Sequence, residues 1–233
     1  MYFAFEFIYL NAAGAIASTA AAGLADPRHY RSQVDSNLGG HSNRRAHLDG
    51  LSECPDTQAV QNAIHGCYDL ADEGSHAARN NDKLFKVIFK TDDPDTKRHV
   101  ESNFEKLKEA CSSHSREVSV TCRDPSEMCH FHGPLCMAHA DRGNNQVVLC
   151  PFFFEQKARS QDVTANNQDT IILHELSHLL FDFDDWGYNW NGVRSLKTRH
   201  AIKNPDSYAI FAQCARNRDC EDESDYDSDS DSD

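Results

Sequence analysis

Residues 169–180 read Asp-Thr-Ile-Ile-Leu-His-Glu-Leu-Ser-His-Leu-Leu, and no other stretch of the chain restricts the possible folds as tightly. On a helix, positions i and i+4 share a face, so His174 and His178 can both reach one ion. Neutral imidazole suits Zn²⁺. Glu175 then lies beside the ion, where it can take a proton from a metal-activated water and pass it to a leaving amine. Asp169 or Thr170 is placed to cap the helix. Ile171, Ile172, Leu176, Leu179 and Leu180 give it apolar surface on several sides, so it is expected inside the protein.

A chain of 233 residues allows one domain with tails, and 39% hydrophobic residues with 13 Phe are enough for a sizeable core. The net charge of −14 argues against a nucleic-acid partner and suits a basic substrate. Part of that charge is local. Residues 219–233 alternate largely between Asp and Ser, cannot bury apolar surface, and are expected to form a disordered, solubilising tail.

Residues 1–25 are apolar and small, with no Lys or Arg before Arg28, and resemble the apolar core and small-residue cleavage site of a secretory signal. No other run is long and apolar enough to span a membrane. Residues 26–45 have linker composition and end in Arg44-Arg45, a dibasic pair that would leave Ala46 as the mature start. The expected organisation is a signal peptide over 1–25, a short pro-segment or linker over 26–45, a folded domain over 46–214 and an acidic tail over 215–233.

Within the domain, Val60, Ile64, Cys67 and Leu70-Ala71 recur at steps of three and four, which predicts an amphipathic helix from Asp56 through about Ala78. Leu84 to Phe89 is too short to separate helix from strand. Asp92-Asp93-Pro94 predicts a turn, and Val100, Phe104, Leu107 and Cys111 a second helix from about Thr96. Glu117–Cys122 and Gln146–Cys150 read as strands. The mixture is α+β: mainly helical with a small sheet. Nine cysteines without a Cys-x-x-Cys pair exclude a thiolate zinc site and indicate disulfides in an oxidising compartment. The eight from Cys54 to Cys214 could form four bridges whose pairing spacing alone does not decide, leaving Cys220 over.

The third metal ligand is open on these residues. The only glutamates after the motif, Glu221 and Glu223, fall in the acidic tail, and the places of a His-x-x-Gly-x-x-His extension hold Phe181 and Asp184. Asp182, Asp184, Asp185, His200 and Asp206 remain. Asp185 could equally be a solvated turn acid, and Asp206 a helix N-cap.

Asp185-Trp186-Gly187-Tyr188 and Asn204-Pro205-Asp206-Ser207-Tyr208-Ala209, after His-Glu-x-x-His, resemble the deuterolysin (aspzincin) family of secreted fungal zinc endopeptidases. The resemblance runs from about Cys54 to Cys214 and includes Val60–Ile64, Cys122-Arg123-Asp124-Pro125 with Cys129, and Cys150-Pro151 before Phe152–Phe154. It implies a disulfide-bridged, zincin-like fold. His174, His178 and Asp185 would bind one Zn²⁺ per chain and Glu175 would be the general base. Tyr188 would hydrogen-bond the oxyanion, and Asp206 would support a ligand histidine from behind. It also implies bridges Cys54–Cys122 and Cys129–Cys150. The family pattern reads Gly-Thr-x-Asp-x-x-Tyr-Gly, whereas this chain has Asp182-Phe183-Asp184-Asp185-Trp186-Gly187-Tyr188-Asn189, without the Gly-Thr or the final Gly. The reading from sequence is a secreted, monomeric zinc endopeptidase acting on protein or peptide substrates, basic ones preferred. The alternative is a catalytically impaired secreted zinc-binding protein, a metal scavenger or surface antigen.

Overall fold

The computed structural model describes residues 51–112, 118–218 and 220. The signal peptide, the pro-segment with Arg44-Arg45, and the acidic run beyond Cys220 lie outside the described residues. Three helices come first: α1 (Thr57–Asn80), α2 (Asp82–Phe89) and α3 (Pro94–Ala110). Each starts at an acid or amide whose side chain accepts a backbone N–H three residues on: Asp56 from Ala59, Asn81 from Leu84, Asp93 from Thr96. Asn81 ends α1 and caps α2, which resolves Leu84–Phe89 as helix. The Asp93-Pro94 pair opens α3 two residues before the expected start, with proline in the first turn where its missing N–H costs nothing.

A small sheet follows, from β1 (Ser119–Thr121), β2 (Ala138–Asp141) and β3 (Gln146–Leu149) in the order β1-β3-β2. β1 runs parallel to β3, with Val120 beside Val147, and β2 antiparallel to it, with His139 beside Val148. Between β1 and β2 lies the short helix α4 (Met128–Phe131). β2 reads Ala-His-Ala-Asp, which carries no β-branched or aromatic signal, and only pairing with β3 reveals it as a strand. The motif helix α5 (Gln168–Phe181) comes next, then α6 (Asn189–Arg194), α7 (Thr198–Ala201) and α8 (Pro205–Asn217).

The helix α5 packs against α1 and α8 on one side and against β2 and β3 on the other. Its residues from Gln168 to His178 are all buried, as its apolar composition requires. Neither Asp169 nor Thr170 is the cap. Asn167 is, in a reciprocal pair: its Oδ1 accepts from Thr170 N at 3.3 Å while Thr170 Oγ1 accepts from Asn167 N at 3.2 Å. Asp169 is instead fully buried, bonded to Arg216 at 2.6 Å near the end of α8 and facing Arg159 at 3.6 Å. Burial raises its carboxyl above the usual range, and the two guanidiniums only partly offset this. Gly66 on α1 makes room for it, since a Cβ there would meet Asp169 Cβ at 2.7 Å.

The core opposite α5 is aromatic. Phe211 on α8 is fully buried, with ring centroids 5.1 Å from Phe89, 5.7 Å from Phe104 and 5.9 Å from Phe85. One residue thus joins α2, α3 and α8.

Four disulfides cross the described residues: Cys54–Cys122, Cys67–Cys111, Cys129–Cys150 and Cys214–Cys220. The first and third are the pairs that the family resemblance implies. The expectation that Cys220 is left over is corrected: Arg218 caps α8 in the left-handed conformation and turns the chain back, so Cys220 bonds Cys214. The free thiol is Cys136, which is buried. Helix α8 itself runs on past Cys214 to Asn217. Among the described residues no helix is long and apolar enough to cross a membrane.

Phe211→Ala should cost about 3–5 kcal/mol, because the surrounding rings belong to separate helices and cannot collapse into the cavity together. Denaturant unfolding with the disulfides intact measures this, and a loss under about 1 kcal/mol would mean that the three-helix junction carries little of the stability.

Candidate metal centre

The four-residue spacing on α5 puts the two motif imidazoles on one face, with Nε2 of His174 and Nε2 of His178 3.1 Å apart. Behind the rings, Nδ1 of His174 donates to Asp206 Oδ1 at 2.7 Å and Nδ1 of His178 donates to the Phe183 carbonyl at 2.8 Å. Both Nδ1 protons are thereby fixed and both Nε2 atoms face the same point. Asp185 closes the group: its Oδ1 lies 3.2 Å from His174 Nε2 and 3.3 Å from His178 Nε2. All three side chains are at most 4% exposed.

Three donors this close suit a small cation. Four-coordinate zinc with bonds of 2.0–2.1 Å places its ligand atoms about 3.3 Å apart, close to the separations seen here. The remaining polar atoms agree. Glu175 Oε1 and Oε2 are buried without a hydrogen-bond partner. Two imidazoles and a carboxylate form a normal donor set for zinc, so the residues fit the ion that the sequence implies.

The electrostatics favour positive charge at this point. Burial acts to lower the His174 imidazolium, but hydrogen bonds to Asp185 and Asp206 outweigh it and hold the group up to about 10. Burial acts to raise Asp185, and the two imidazoles outweigh that and hold its carboxyl well below the usual range. Glu175 goes the other way: burial raises it, and His174 and His178 only partly compensate. The Tyr188 phenol is pushed far above its ordinary value by burial and by the carboxylates of Asp185, Asp206 and Glu175, so it stays a hydroxyl donor.

The loop that carries Asp185 is held from two sides. Asp182 ends α5 with φ 54°, and Arg142 from the β2–β3 turn bonds Asp182 Oδ1 at 2.9 Å and the Phe183 carbonyl at 3.1 Å. That carbonyl is the one His178 uses. On the other side, Asn204 Oδ1 accepts from Trp186 N at 2.8 Å and Gly187 N at 3.1 Å, while its Nδ2 donates to the Gly187 carbonyl at 3.0 Å. Asp206 Oδ2 accepts from Asn189 N at 2.8 Å, so one carboxylate spans His174 and the end of the loop. Asp206 lies in the first turn of α8, and Asn204 occupies the N-cap position.

Of the other acids considered as ligands, Asp182 is largely exposed on its ion pair with Arg142. Asp184 is not among the grouped donors, and His200 stacks on Trp186 at 4.0 Å. Gly187 has no positive φ; glycine is needed there for close approach, since a Cβ would meet the Gly192 carbonyl at 2.8 Å. Positive φ occurs instead at Asp182 and at Asn189, φ 55°, the two places where the family pattern has glycine. Asp and Asn are the side chains that tolerate this region best.

Asn204, Arg142 and Asn167 were missed from sequence. Asn204 stood in a recognised segment, where an Asn before Pro resembles an ordinary helix start. Arg142 gave no local signal, because its partners lie 40 and 41 residues on.

The geometry is that of a His-Glu-x-x-His helix whose two imidazoles face a buried aspartate. Residues 74–213 match the aspzincin family, described as lysine-specific metallo-endopeptidase, and the chain belongs to that family. It is 31% identical over 184 residues to a neutral protease 2 homologue of Blastomyces gilchristii, covering 76% of this chain and 49% of that protein. Against a neutral protease 2 homologue of Phaeosphaeria nodorum it is 30% identical over 173 residues, covering 70% and 47%. The chain thus spans about half the length of these relatives. A zinc peptidase from Grifola frondosa shares the fold, with TM-score 0.53 and 16% identity over 68% of this chain and 94% of that one.

Asp185→Ala should reduce zinc affinity most, Asp206→Ala by roughly 10–100-fold, and Asp182→Ala and Asp184→Ala little. Chelator-competition titrations give the order, and Asp206 or Asp182 ahead of Asp185 would overturn the donor assignment. Zinc must also displace the proton held on His174. Apparent affinity should therefore rise about tenfold per pH unit across roughly pH 7 to 9, and a flat profile would show that no such proton is held. Asn189→Ala should cost about 1–2 kcal/mol of stability through its left-handed backbone, and Asn189→Gly should keep wild-type stability to within about 0.5 kcal/mol. Thermal unfolding of the pair separates backbone strain from the lost side chain.

Proposed function

We propose that the protein is a secreted, monomeric, zinc-dependent endopeptidase, with one Zn²⁺ per chain held by His174, His178 and Asp185. The carrying observation is the convergence of those three donors beside a buried Glu175 whose carboxylate oxygens have no partner. When bound, zinc supplies a Lewis acid that polarises the scissile carbonyl and lowers the pKa of a water to about 7. Glu175 takes the water's proton on an Oε and returns it to the leaving nitrogen. Its raised pKa suits that task, because a carboxylate nearer neutrality both accepts and releases a proton readily. Tyr188 keeps its proton and donates a hydrogen bond to the oxyanion. Asp206 and the Phe183 carbonyl hold the two imidazoles in the tautomer that presents Nε2.

The net charge of −14 supports basic proteins as substrates, through long-range attraction in the encounter. Four disulfides support an oxidising, extracellular location.

Glu175→Gln should retain zinc and lose at least about 10²-fold in turnover, since the amide keeps the shape but cannot accept the proton. Zinc analysis with a casein or histone cleavage assay reads both. Near-native turnover would remove Glu175 from the mechanism. Full zinc with no activity in the wild type would favour the impaired zinc-binding reading.

A further inference from the structure

A second group of reactive side chains lies outside the three proposed metal ligands, on the β1–β2 loop, on β2 and just after β3. Cys136 is a free, buried thiol whose Sγ lies 3.3 Å from Sγ of Cys150, which is itself bonded to Cys129. Thiol–disulfide exchange needs a thiolate in contact with a disulfide sulfur, and this one is already in contact. The sulfur that would leave, that of Cys129, has a distinctive setting. Donor atoms of Asp124, Cys129 and His139 all lie within 4.8 Å of one another. His139 is 4% exposed, and its Nε2 points toward Asp124 Oδ1 at 3.5 Å without a hydrogen-bond partner. Asp124 is held in place by accepting from Cys129 N at 2.8 Å and Ser126 Oγ at 3.0 Å.

We propose that the disulfide migrates from Cys129–Cys150 to Cys136–Cys150 and frees Cys129 to bind a second divalent metal ion together with His139 and Asp124. In the exchange, Cys136 loses its proton and its sulfur attacks Cys150 Sγ. The Cys150–Cys129 bond breaks and its electron pair leaves on Cys129 Sγ, which takes up a proton or the metal. One disulfide is made and one broken, so no outside oxidant or reductant is needed. Thiolate, imidazole and carboxylate together suit zinc or a similar thiophilic ion. A metal that binds only the migrated form pulls the exchange toward it. Burial, with Glu175 on α5 and Asp124 on the loop facing the sulfur, pushes the Cys136 thiol up to about 12, so exchange at neutral pH is slow rather than forbidden. Burial lowers His139 and keeps its ring in the neutral form that a metal requires.

The test uses the oxidatively folded full chain loaded with Co²⁺. The His174, His178 and Asp185 group contains no sulfur, so a thiolate-to-cobalt charge-transfer band reports a cysteine outside the proposed metal ligands, and its loss in His139→Ala together with the disulfide mapping assigns it to Cys129 rather than Cys136. The band should appear and be lost in Cys136→Ala, which cannot exchange, and in His139→Ala. Acid-quenched, non-reducing peptide mapping should show the ratio of Cys136–Cys150 to Cys129–Cys150 rising at least tenfold with Co²⁺. Cys129→Ala, which removes the competing partner, should fold with a Cys136–Cys150 bridge and no free thiol. The proposal is overturned by a ratio that metal does not move, by migration without the band, by a band that survives in Cys136→Ala, or by two free thiols in Cys129→Ala.

Discussion

Two imidazole nitrogens and a carboxylate oxygen held within 3.3 Å of one another, almost out of contact with water, set the terms for the rest of this molecule. Such a group is costly unless a cation satisfies it, and it spreads apart unless the surrounding chain holds it. The fold provides the holding. The helix α5 is buried on every side over its first eleven residues, so the histidines cannot swing outward. Asp185 arrives on a loop whose two ends are tied by Arg142 and by Asn204 with Asp206. Asp206 is the joint between these parts: one oxygen orients the His174 ring and the other fixes the backbone that follows Tyr188. Loss of that carboxylate therefore disturbs His174 and the loop together.

The same arrangement accounts for the departures from the family pattern. Two positions at which the family has glycine need a left-handed backbone, and this chain meets them with Asp182 and Asn189. Each adds something glycine cannot. Asp182 brings the ion pair to Arg142, and Asn189 accepts from Asn191 N and Gly192 N to start α6. The threonine of the pattern is replaced by Phe183, whose side chain packs 5.4 Å from Tyr208 while its carbonyl serves His178.

Residues whose partners are near in sequence were legible, and those whose partners are remote were not. His174, Glu175 and His178 follow from helical spacing alone, and α1 and α3 follow from apolar periodicity. Asp185 could not be separated from Asp182 or Asp184 by spacing, and only the resemblance to a known family singled it out. Asp169 looked like a cap because short acids before apolar runs usually are. Its burial depends on Gly66, 103 residues earlier, and on Arg216, 47 residues later. Cys136 looked like half of a bridge because nothing local shows that Cys150, 14 residues on, is already taken by Cys129.

The measurement that reaches the central claim most directly is the position of the bound ion. Anomalous diffraction at the zinc edge, from crystals of the zinc-loaded protein, locates it against the side chains without reference to activity. The account predicts a strong site within about 2.0–2.2 Å of His174 Nε2, His178 Nε2 and an oxygen of Asp185, with Glu175 close by and not bonded to it. A zinc ion bound through Asp182, Asp184 or Asp206 in place of Asp185, or one ligated by Glu175, would contradict it.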